Sequence, residues 1–311
     1  IEIITRKYKK KIHIKEIKNQ NNTIKKKIKK DIKLITSKKK FVGLNFLNFP
    51  ILMGIINLTP DSFSDGGKFN KNNLGYNHAR YLIKKGCKIL DIGGESTRPG
   101  AKDISAIIEW KRIVNTLKKV IKLKKFISLD TRKSQIMEKG IKNGVNLIND
   151  VSGFQYDANT LNVLKKYKKP FVIHHMQGTP RNMQNNPKYK NIILDIYDFF
   201  ENEIKKIRSL GIKHKNIIID PGIGFGKNLK HNITLISKIS LFHSLGFPIL
   251  LGISRKKFIK DISGKNDSKD RLGGTIGSSL FAVMQGVQIL RVHETNEVIQ
   301  SIKIFEKLLK N

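Results

Sequence analysis

The spacing of short apolar segments constrains the fold more than any other feature of this sequence. From Pro50 onward, eight β-branched runs typical of buried strands recur, and helix-sized segments separate them. The runs are Ile51–Asn57, Lys88–Glu95, Phe126–Thr131, Leu147–Val151, Phe171–His175, Ile217–Pro221, Ile249–Ser254 and Ile289–His293. The clearest amphipathic segments are Asn73–Gly86, Ser105–Leu123, Lys133–Asn143, Asn191–Leu210, Lys230–Leu245, Arg271–Gly286 and Thr295–Leu309. Eight strand–helix pairs over roughly 260 residues predict a (β/α)8 TIM barrel at residues 46–311.

Polar residues stand at the end of nearly every apolar run. The endings are Asn57, Glu95, Asp130, Asn149, Asp150, His174, His175, Asp220, Ser254, Arg255, Lys256, Arg291 and His293. A single polar ending is usually a helix cap or a turn residue. In a parallel barrel, however, all strand C-termini open onto one face, where the loops build the active site. Endings of this kind on every strand therefore predict an enzyme.

Composition limits the compartment and the partners. The chain has 311 residues and one cysteine, Cys87, which excludes an internal disulfide framework and favours the cytoplasm. No apolar run reaches the ~18 residues that a bilayer-spanning helix needs. The net charge of +37 is compatible with nucleic-acid or membrane binding, but only ten of the 61 basic residues are arginine, and the lysines are spread over every segment. We therefore expect neither a nucleic-acid nor a membrane partner.

Residues 1–45 precede the barrel pattern and form a basic N-terminal extension. Residues 1–40 hold 16 Lys and Arg against three acidic residues, and isoleucines recur in a spacing compatible with a weakly amphipathic helix. No compact apolar region follows the basic residues, so a secretory signal is not expected. The low Ser and Arg content disfavours a transit peptide. The segment is predicted to be a mobile basic leader.

The first two strand-end loops carry candidate ligands for a cation and for an anion. Residues 57–67 offer oxygens from Asn57, Thr59 and Asp61 that suit a hard cation such as Mg²⁺, although turn-rich loops often have this composition. In the second loop, Arg98 is flanked by Pro99 and Gly100 and can present a bidentate guanidinium to phosphate or carboxylate. The alternative is an ordinary solvated arginine.

Residues at the ends of the third, fourth and sixth strands suit a planar, nitrogen-rich ligand. A carboxylate such as Asp130 or Asp220 matches two parallel N–H donors of a 2-amino-4-oxopyrimidine edge, and Asn149 can both donate and accept. These groups can instead serve as helix caps or metal ligands. The glycines of residues 220–227 permit close approach to a flat ligand, and Phe225 is available to stack on it.

The last two strands contribute positive charge. The loops after strands seven and eight are the usual phosphate site of this fold. Arg255, Arg291 and His293, together with Arg98, would form an anion site suited to a diphosphate, unless some of them pair with neighbouring acids.

His174 and His175 are adjacent and point in opposite directions on a strand, so they cannot chelate one metal together.

Taken together, the strand-end motifs resemble those of the dihydropteroate synthase family. The matching segments are NLTPDSFSDGG (57–67), DIGGESTRPGA (91–101), LDTRK (129–133), LINDVSG (147–153), HHMQGTP (174–180), DPGIGFGK (220–227), GISRK (252–256) and RVHE (291–294). They occur in the order of the family and cover the chain from about residue 50 onward. The resemblance implies a transferase of folate biosynthesis that joins 6-hydroxymethyl-7,8-dihydropterin diphosphate to p-aminobenzoate. Family members are commonly homodimers, so a homodimer is expected.

The resemblance also implies roles for single residues. Asn57 is similar to the Mg²⁺-contacting residue of the family. The residues that resemble the pterin pocket are Asp130, Asn149, Met176, Asp220, Phe225 and Lys256. Those that resemble the diphosphate site are Thr97, Arg98, Arg291 and His293, and the p-aminobenzoate contacts are Phe63, Pro99 and Ser254. Asp130, Lys256 and Arg98 are the expected catalytic residues. Gly277, where the family pattern leads us to expect Ala, is a departure in helix packing.

Two other functions remain open at this point. A methyltetrahydrofolate:corrinoid methyltransferase is also a pterin-binding barrel, but it needs no diphosphate site, and this chain has no cobalamin module. A basic RNA- or membrane-binding protein would owe its affinity to the leader, with a steep dependence on salt.

Overall fold

Eight parallel strands form a nearly closed barrel in the computed structural model, which describes residues 1–46, 50–59, 73–98 and 100–309. The barrel strands are β3 (Ile51–Asn57), β4 (Ile89–Gly93), β5 (Phe126–Asp130), β6 (Leu147–Asp150), β7 (Phe171–His174), β8 (Ile217–Asp220), β9 (Leu250–Gly252) and β10 (Ile289–Val292). Each strand pairs with the next in sequence from β3 to β8, while β10 lies between β9 and β3. A single parallel bridge between Ile219 and Ile249 links β8 to the start of β9. The predicted TIM barrel is confirmed.

Helices alternate with these strands on the outside of the barrel. They are α2 (Leu74–Lys84), α3 (Ala106–Ile121), α4 (Ser134–Lys142), α5 (Thr160–Tyr167), α6 (Ile192–Ser209), α7 (Leu229–Ser237), α8 (Lys257–Ser263), α9 (Leu272–Met284) and α10 (Thr295–Leu308). The predicted helix at Lys230–Leu245 is two elements, α7 and a 3-10 helix at Ile239–Leu245. Helices α5 and α8 were not among the predicted segments.

The inside of the barrel changes from apolar to polar along the strands. A buried apolar cluster fills its N-terminal half and includes Ile51, Met53, Ile89, Leu147, Val172, Ile218, Leu250 and Ile289. Side chains two residues apart on a strand share a face. The next inward positions after Ile89, Leu147 and Ile218 are therefore Asp91, Asn149 and Asp220. The side chains that alternate with them, such as Leu90 and Val292, belong to the larger core between the strands and the helices. This alternation places Asp91, Asn149 and Asp220 at one mouth.

The N-terminal segment folds against the barrel. Strands β1 (Glu2–Ile4) and β2 (Lys9–Lys11) form a hairpin, and α1 (Asn22–Thr36) contacts the 3-10 helix at Ile239–Leu245. Arg6 forms ion pairs with Asp195 and Asp198 of α6. The expected basic helix is thus present as α1, whereas the mobility of the leader and its boundary at residue 45 stay predictions.

Phe41 closes the barrel at the end opposite the polar mouth. Its side chain is 6% exposed and belongs to the same cluster as the inward-facing residues of the strands. The ring lies 6.4 Å from that of Phe126, between centroids. The segment after α1 therefore completes the core of the barrel. Within the described ranges, no helix is both long and apolar enough to cross a membrane.

Candidate active site

The polar mouth of the barrel contains a pocket to which five strands contribute. It is lined by Thr97, Asn149, Val151, His174, Asp220, Ile223, Phe225, Gly252, Lys256 and Arg291. Six of these were predicted to belong to the site, and they come from segments as far apart as residues 97 and 291. The sequence prediction that strand-end residues converge on one face is therefore met by the geometry.

Arg291 connects the two sides of this mouth. Its Nε donates to Asp91 Oδ2 at 2.6 Å, and its Nη2 donates to Asp130 Oδ2 at 2.8 Å. Arg291, which the sequence predicts to bind an anion, thus pairs with two carboxylates. Pairing with neighbouring acids is the alternative that the sequence left open. Burial raises the pKa of Asp130 above its usual range, and the positive charge of Arg291 opposes this shift.

Asp91 is a site residue that the sequence analysis missed. Its side chain is fully buried in β4, and Oδ2 also accepts a hydrogen bond from Asn149 Nδ2 at 3.2 Å. The other oxygen, Asp91 Oδ1, and Asn149 Oδ1 are both buried without a hydrogen-bond partner among the described residues. Because buried polar atoms are nearly always paired, these two oxygens are available to a ligand with N–H donors.

Asp220 lies across the pocket on a tightly turned segment. Its Oδ1 accepts a hydrogen bond from Gly222 N at 2.8 Å, and burial raises the pKa of its carboxyl to about 6. Gly222 has φ +70°, and a Cβ there would lie 2.0 Å from the His175 carbonyl oxygen. This glycine is therefore required for packing against the segment after β7, and not only for the approach of a ligand.

Lys256 and Phe225 form one wall of the pocket. The Lys256 ammonium lies 4.1 Å from the centroid of the Phe225 ring, within cation–π distance. Burial, with a smaller contribution from Arg291, lowers the pKa of Lys256 to about 8. The Phe225 ring in turn meets His174 edge-on, with centroids 4.6 Å apart. These contacts fix the wall before any ligand arrives.

The two adjacent histidines occupy separate environments, as the strand geometry predicts. His174 lines the pocket, and burial lowers its pKa well below the usual value, so the ring is neutral at physiological pH. His175 packs edge-on against Phe199, and its Nδ1 lies 3.0 Å from the ammonium nitrogen of buried Lys227. His175 and Lys227 thus support the segment that carries Phe225.

The ends of β9 and β10 are joined by a polar cluster. Ser254 Oγ lies 2.8 Å from His293 Nδ1 and donates to Glu294 Oε2 at 3.0 Å. Arg255 forms an ion pair with Glu294. Burial and the neighbouring positive charges of Arg255 and Arg291 lower the pKa of His293 to about 3. His293 therefore enters the site as a neutral imidazole, able to donate or accept one hydrogen bond.

The remaining predicted residues lie around this core. Asn57 ends β3 beside Gly93 of β4, Thr97 is half-buried at the pocket, and Arg98 is exposed. Met176 is buried directly after His175 but is not among the pocket-lining residues. Phe63 and Pro99 lie outside the residues that the structure describes.

Comparison with known proteins identifies the family. The model of the pterin binding enzyme family matches residues 53–293, which include every described site residue named above except Glu294. The dihydropteroate synthase of Escherichia coli K12 is 36% identical over 264 residues, which are 85% of this chain and 93% of that protein. The chain belongs to the dihydropteroate synthase family.

Solved structures of dihydropteroate synthases agree with this assignment. The Yersinia pestis dihydropteroate synthase in a sulfonamide drug complex has a TM-score of 0.82 at 36% identity, over 88% of this chain and 99% of that chain. The Thermus thermophilus enzyme in complex with 4-aminobenzoate has a TM-score of 0.76 at 33% identity, over 85% and 96% of the two chains. The predicted activity, transfer of a pterin-methyl group to p-aminobenzoate in folate biosynthesis, is confirmed.

Proposed function

We propose that the mouth of the barrel performs the dihydropteroate synthase reaction with the pterin ring held between Asn149, Asp220 and Lys256. The observation that carries this proposal is the buried, unpartnered oxygen of Asn149 in a pocket that also contains Lys256, with a second such oxygen on Asp91, the hydrogen-bond partner of Asn149. The 2-amino group and ring N–H groups of a pterin are donors, and its carbonyl and ring nitrogens are acceptors. A pterin would therefore pair with both kinds of group.

Asp220 and Asn149 would set the orientation of the ring. Both side chains are buried, so a ligand that leaves them unpaired costs the full desolvation of each group. Lys256 would bond the carbonyl or a ring nitrogen, and Phe225 would contact the ring face. Met176, which is buried directly after His175, would support the pocket.

The reaction replaces one bond at the pterin methylene carbon by another. The C–O bond to the diphosphate breaks and its electron pair leaves with the diphosphate, while the arylamine nitrogen forms the new C–N bond and then loses a proton. Thr97, Arg98 and His293 would bind the departing diphosphate, and the exposed part of Arg291 would add positive charge. An arylamine is nucleophilic when neutral, so no strong base is required.

Asp130 would act on the methylene carbon. If the C–O bond breaks early, positive charge develops there, and the carboxylate beside Arg291 would stabilise it. Lys256 would thus bind the ring, Arg98 would bind the leaving group, and Asp130 would act on the reacting carbon. Accumulation of free diphosphate from the pterin substrate without any arylamine would support early cleavage.

Asn57 fits a site for Mg²⁺ that is shared with the substrate. Among the described residues, no three His, Cys, Asp or Glu side chains come together as a metal site. Mg²⁺ is commonly bound by one or two protein oxygens together with phosphates and water, which is what the Asn57 amide at the mouth can provide. When bound, the ion would neutralise charge on the diphosphate.

The p-aminobenzoate would lie at the rim of the pocket. Ser254, which contacts His293 and Glu294, would contact the arylamine. Phe63 and Pro99 are proposed as further contacts from the two loops. The buried, free Cys87 is compatible with the proposed cytoplasmic location.

A second copy of the chain is the proposed partner. Helix α9 leaves one face uncovered by the described chain: Phe281 is 38% exposed and Met284 is 63% exposed. Gly273 and Gly277 lie on the same face, with open space where a Cβ would stand. A twofold axis would place the large side chains of one copy against the glycines of the other, which is the self-complementarity that a homodimer requires.

The deciding experiment measures incorporation of labelled p-aminobenzoate into dihydropteroate, with and without Mg²⁺. Product formation that needs the pterin diphosphate and increases with Mg²⁺ would support the assigned site. Product formation that is unchanged by Arg98→Ala and Asn57→Ala together would contradict the proposed diphosphate and metal contacts.

A further inference from the structure

Both ends of the second loop, which carries Thr97 and Arg98, are bound by one side chain. Arg132 lies two residues after the end of β5, and its Nε donates to Glu95 Oε2 at 2.8 Å, at the start of the loop. Its Nη2 donates to Asp103 Oδ1 at 2.7 Å, just before α3 begins. One planar guanidinium therefore spans the base of the loop, and Glu95, Asp103 and Arg132 are called the loop clamp below.

The guanidinium in the clamp has little freedom to move. The Arg132 side chain is 3% exposed, and its guanidinium carbon lies 3.9 Å from the centroid of the Tyr156 ring. The Tyr156 hydroxyl donates to the other oxygen of Asp103 at 3.4 Å. The two carboxylates and the Tyr156 ring fix the plane of the guanidinium. A lysine has no planar group and could not be held in this way.

Glu95 ties the clamp to the rest of the barrel. Its Oε1 accepts a hydrogen bond from the backbone N–H of Ile104 at 3.2 Å, so the carboxylate bridges the two ends of the loop a second time. The same oxygen pairs with Lys133 Nζ at 2.7 Å, and Lys133 also pairs with Glu109 of α3 at 2.8 Å. Glu95 and Arg132 are thus buried charges of the clamp that the reaction itself does not use.

We propose that Arg132 and Asp103 are positioning residues that set the place of Thr97 and Arg98 over the pocket. This inference rests on the proposed roles of those two residues. Arg132 is two residues from Asp130, so the clamp holds the loop in register with the strand that carries a catalytic carboxylate. If one end of the loop is released, the loop must lose conformational entropy when the substrate binds, and this loss weakens binding. Binding of the pterin diphosphate, whose leaving group Thr97 and Arg98 would contact, should suffer more than turnover.

Asp103→Asn is the sharpest test. The Asp103 side chain is 59% exposed, and the variant leaves the buried pair of Arg132 and Glu95 intact, so folding should be unaffected. In the full chain, amide hydrogen exchange of residues 94–98 and 100–105 should become about threefold faster, and KM for the pterin diphosphate should rise about threefold, the effect of one partly exposed ion pair. The kcat value and the melting temperature should change little.

Two further variants make the result specific. Asp198→Asn removes a carboxylate that is 49% exposed and pairs with Arg6 far from the loop, and it should change neither exchange in these segments nor KM. Arg132→Lys removes the guanidinium that bonds both carboxylates. The rise in KM for the double variant with Asp103→Asn should therefore be smaller than the two single effects combined. Unchanged exchange and KM in Asp103→Asn would overturn the clamp. Unchanged activity in Arg98→Ala would instead refute the proposed role of Arg98, which the exchange measurement does not depend on.

Discussion

Arg291 Nη2 and Asp130 Oδ2 are 2.8 Å apart, and this contact joins the last strand of the barrel to the third across the mouth. The same guanidinium bonds Asp91 through Nε, so three charges from three strands form one unit. Two carboxylates this close to each other and deeply buried require a fixed cation. The first role of Arg291 is therefore to hold Asp91 and Asp130 in place. Its proposed contact with diphosphate uses the part that faces the pocket.

The coupling of Asp91 to Arg291 gives the first prediction. Asp91→Asn should lower the free energy of unfolding by about 3 kcal/mol, the usual cost of breaking a buried ion pair from one side. Arg291→Met combined with Asp91→Asn should cost less than the sum of the single variants, because both changes remove the same ion pair and the second cannot break it again. Denaturant unfolding of the three variants measures this. Strict additivity would contradict the coupling.

Lys256 should be needed for binding of the pterin, whereas the adjacent Lys257 should not be. Lys256→Met removes a hydrogen bond to a charged group while keeping most of the apolar stem. We therefore expect kcat/KM for the pterin substrate to fall by about tenfold to a hundredfold. Lys257→Met is the matched control, since that side chain is 72% exposed and pairs with Asp261 on the surface of α8. Equal kinetics of the two variants would remove Lys256 from the site.

The pH dependence of kcat/KM for the pterin substrate should be bell-shaped. Burial raises the pKa of Asp220 to about 6, so below that pH the carboxyl gains a proton and can no longer accept two N–H donors. Burial lowers the pKa of Lys256 to about 8, so above that pH the amine loses its charge. Rates measured from pH 5 to 9 report these groups in the free enzyme. Lys256→Arg should remove the alkaline limb, since a guanidinium does not titrate there, and a flat profile for the native chain would refute both assignments.

The barrel was predictable because each of its strands carries the same local signal. The apolar run at Ile51–Asn57 matches β3 from end to end, and the other predicted runs extend only one to three residues beyond the observed strands. Most of these overhanging residues, Thr131 for example, follow the C-terminal end of a strand. Helices α5 and α8 escaped prediction because eight and seven residues give only two helical turns, too few for a period to stand out.

Asp91 shows what the sequence could not supply. A carboxylate inside an apolar run is a signal in itself, since an aspartate is almost never fully buried unless it is paired. Its partner Arg291 lies 200 residues further along the chain, however, and no spacing rule joins the two. The loop clamp has the same character, because Glu95 and Arg132 are 37 residues apart and meet only in the folded barrel.

The exposed face of α9 should be where two copies associate. Met284→Lys places a charge in the middle of the proposed interface, and sedimentation should show a shift from dimer to monomer at micromolar concentration. The control is Ile107→Lys, since Ile107 is 77% exposed on α3, away from α9. A native chain that sediments as a monomer, or a variant that stays dimeric, would contradict this placement of the interface.

Phe41 should matter for stability and not for chemistry. Its ring fills the N-terminal end of the barrel, at the end opposite the pocket, so Phe41→Ala leaves a cavity that the surrounding strands cannot close. We expect the free energy of unfolding to fall by about 3 kcal/mol or more, and Phe41→Leu to cost clearly less. Tyr8→Ala, at a ring that is 45% exposed in the N-terminal segment, should be close to neutral. Denaturant unfolding gives the three values, and KM for both substrates, measured where every variant is folded, should stay unchanged. A neutral Phe41→Ala would mean that the segment after α1 does not complete the barrel core, and a changed KM would mean that the two ends of the barrel are coupled.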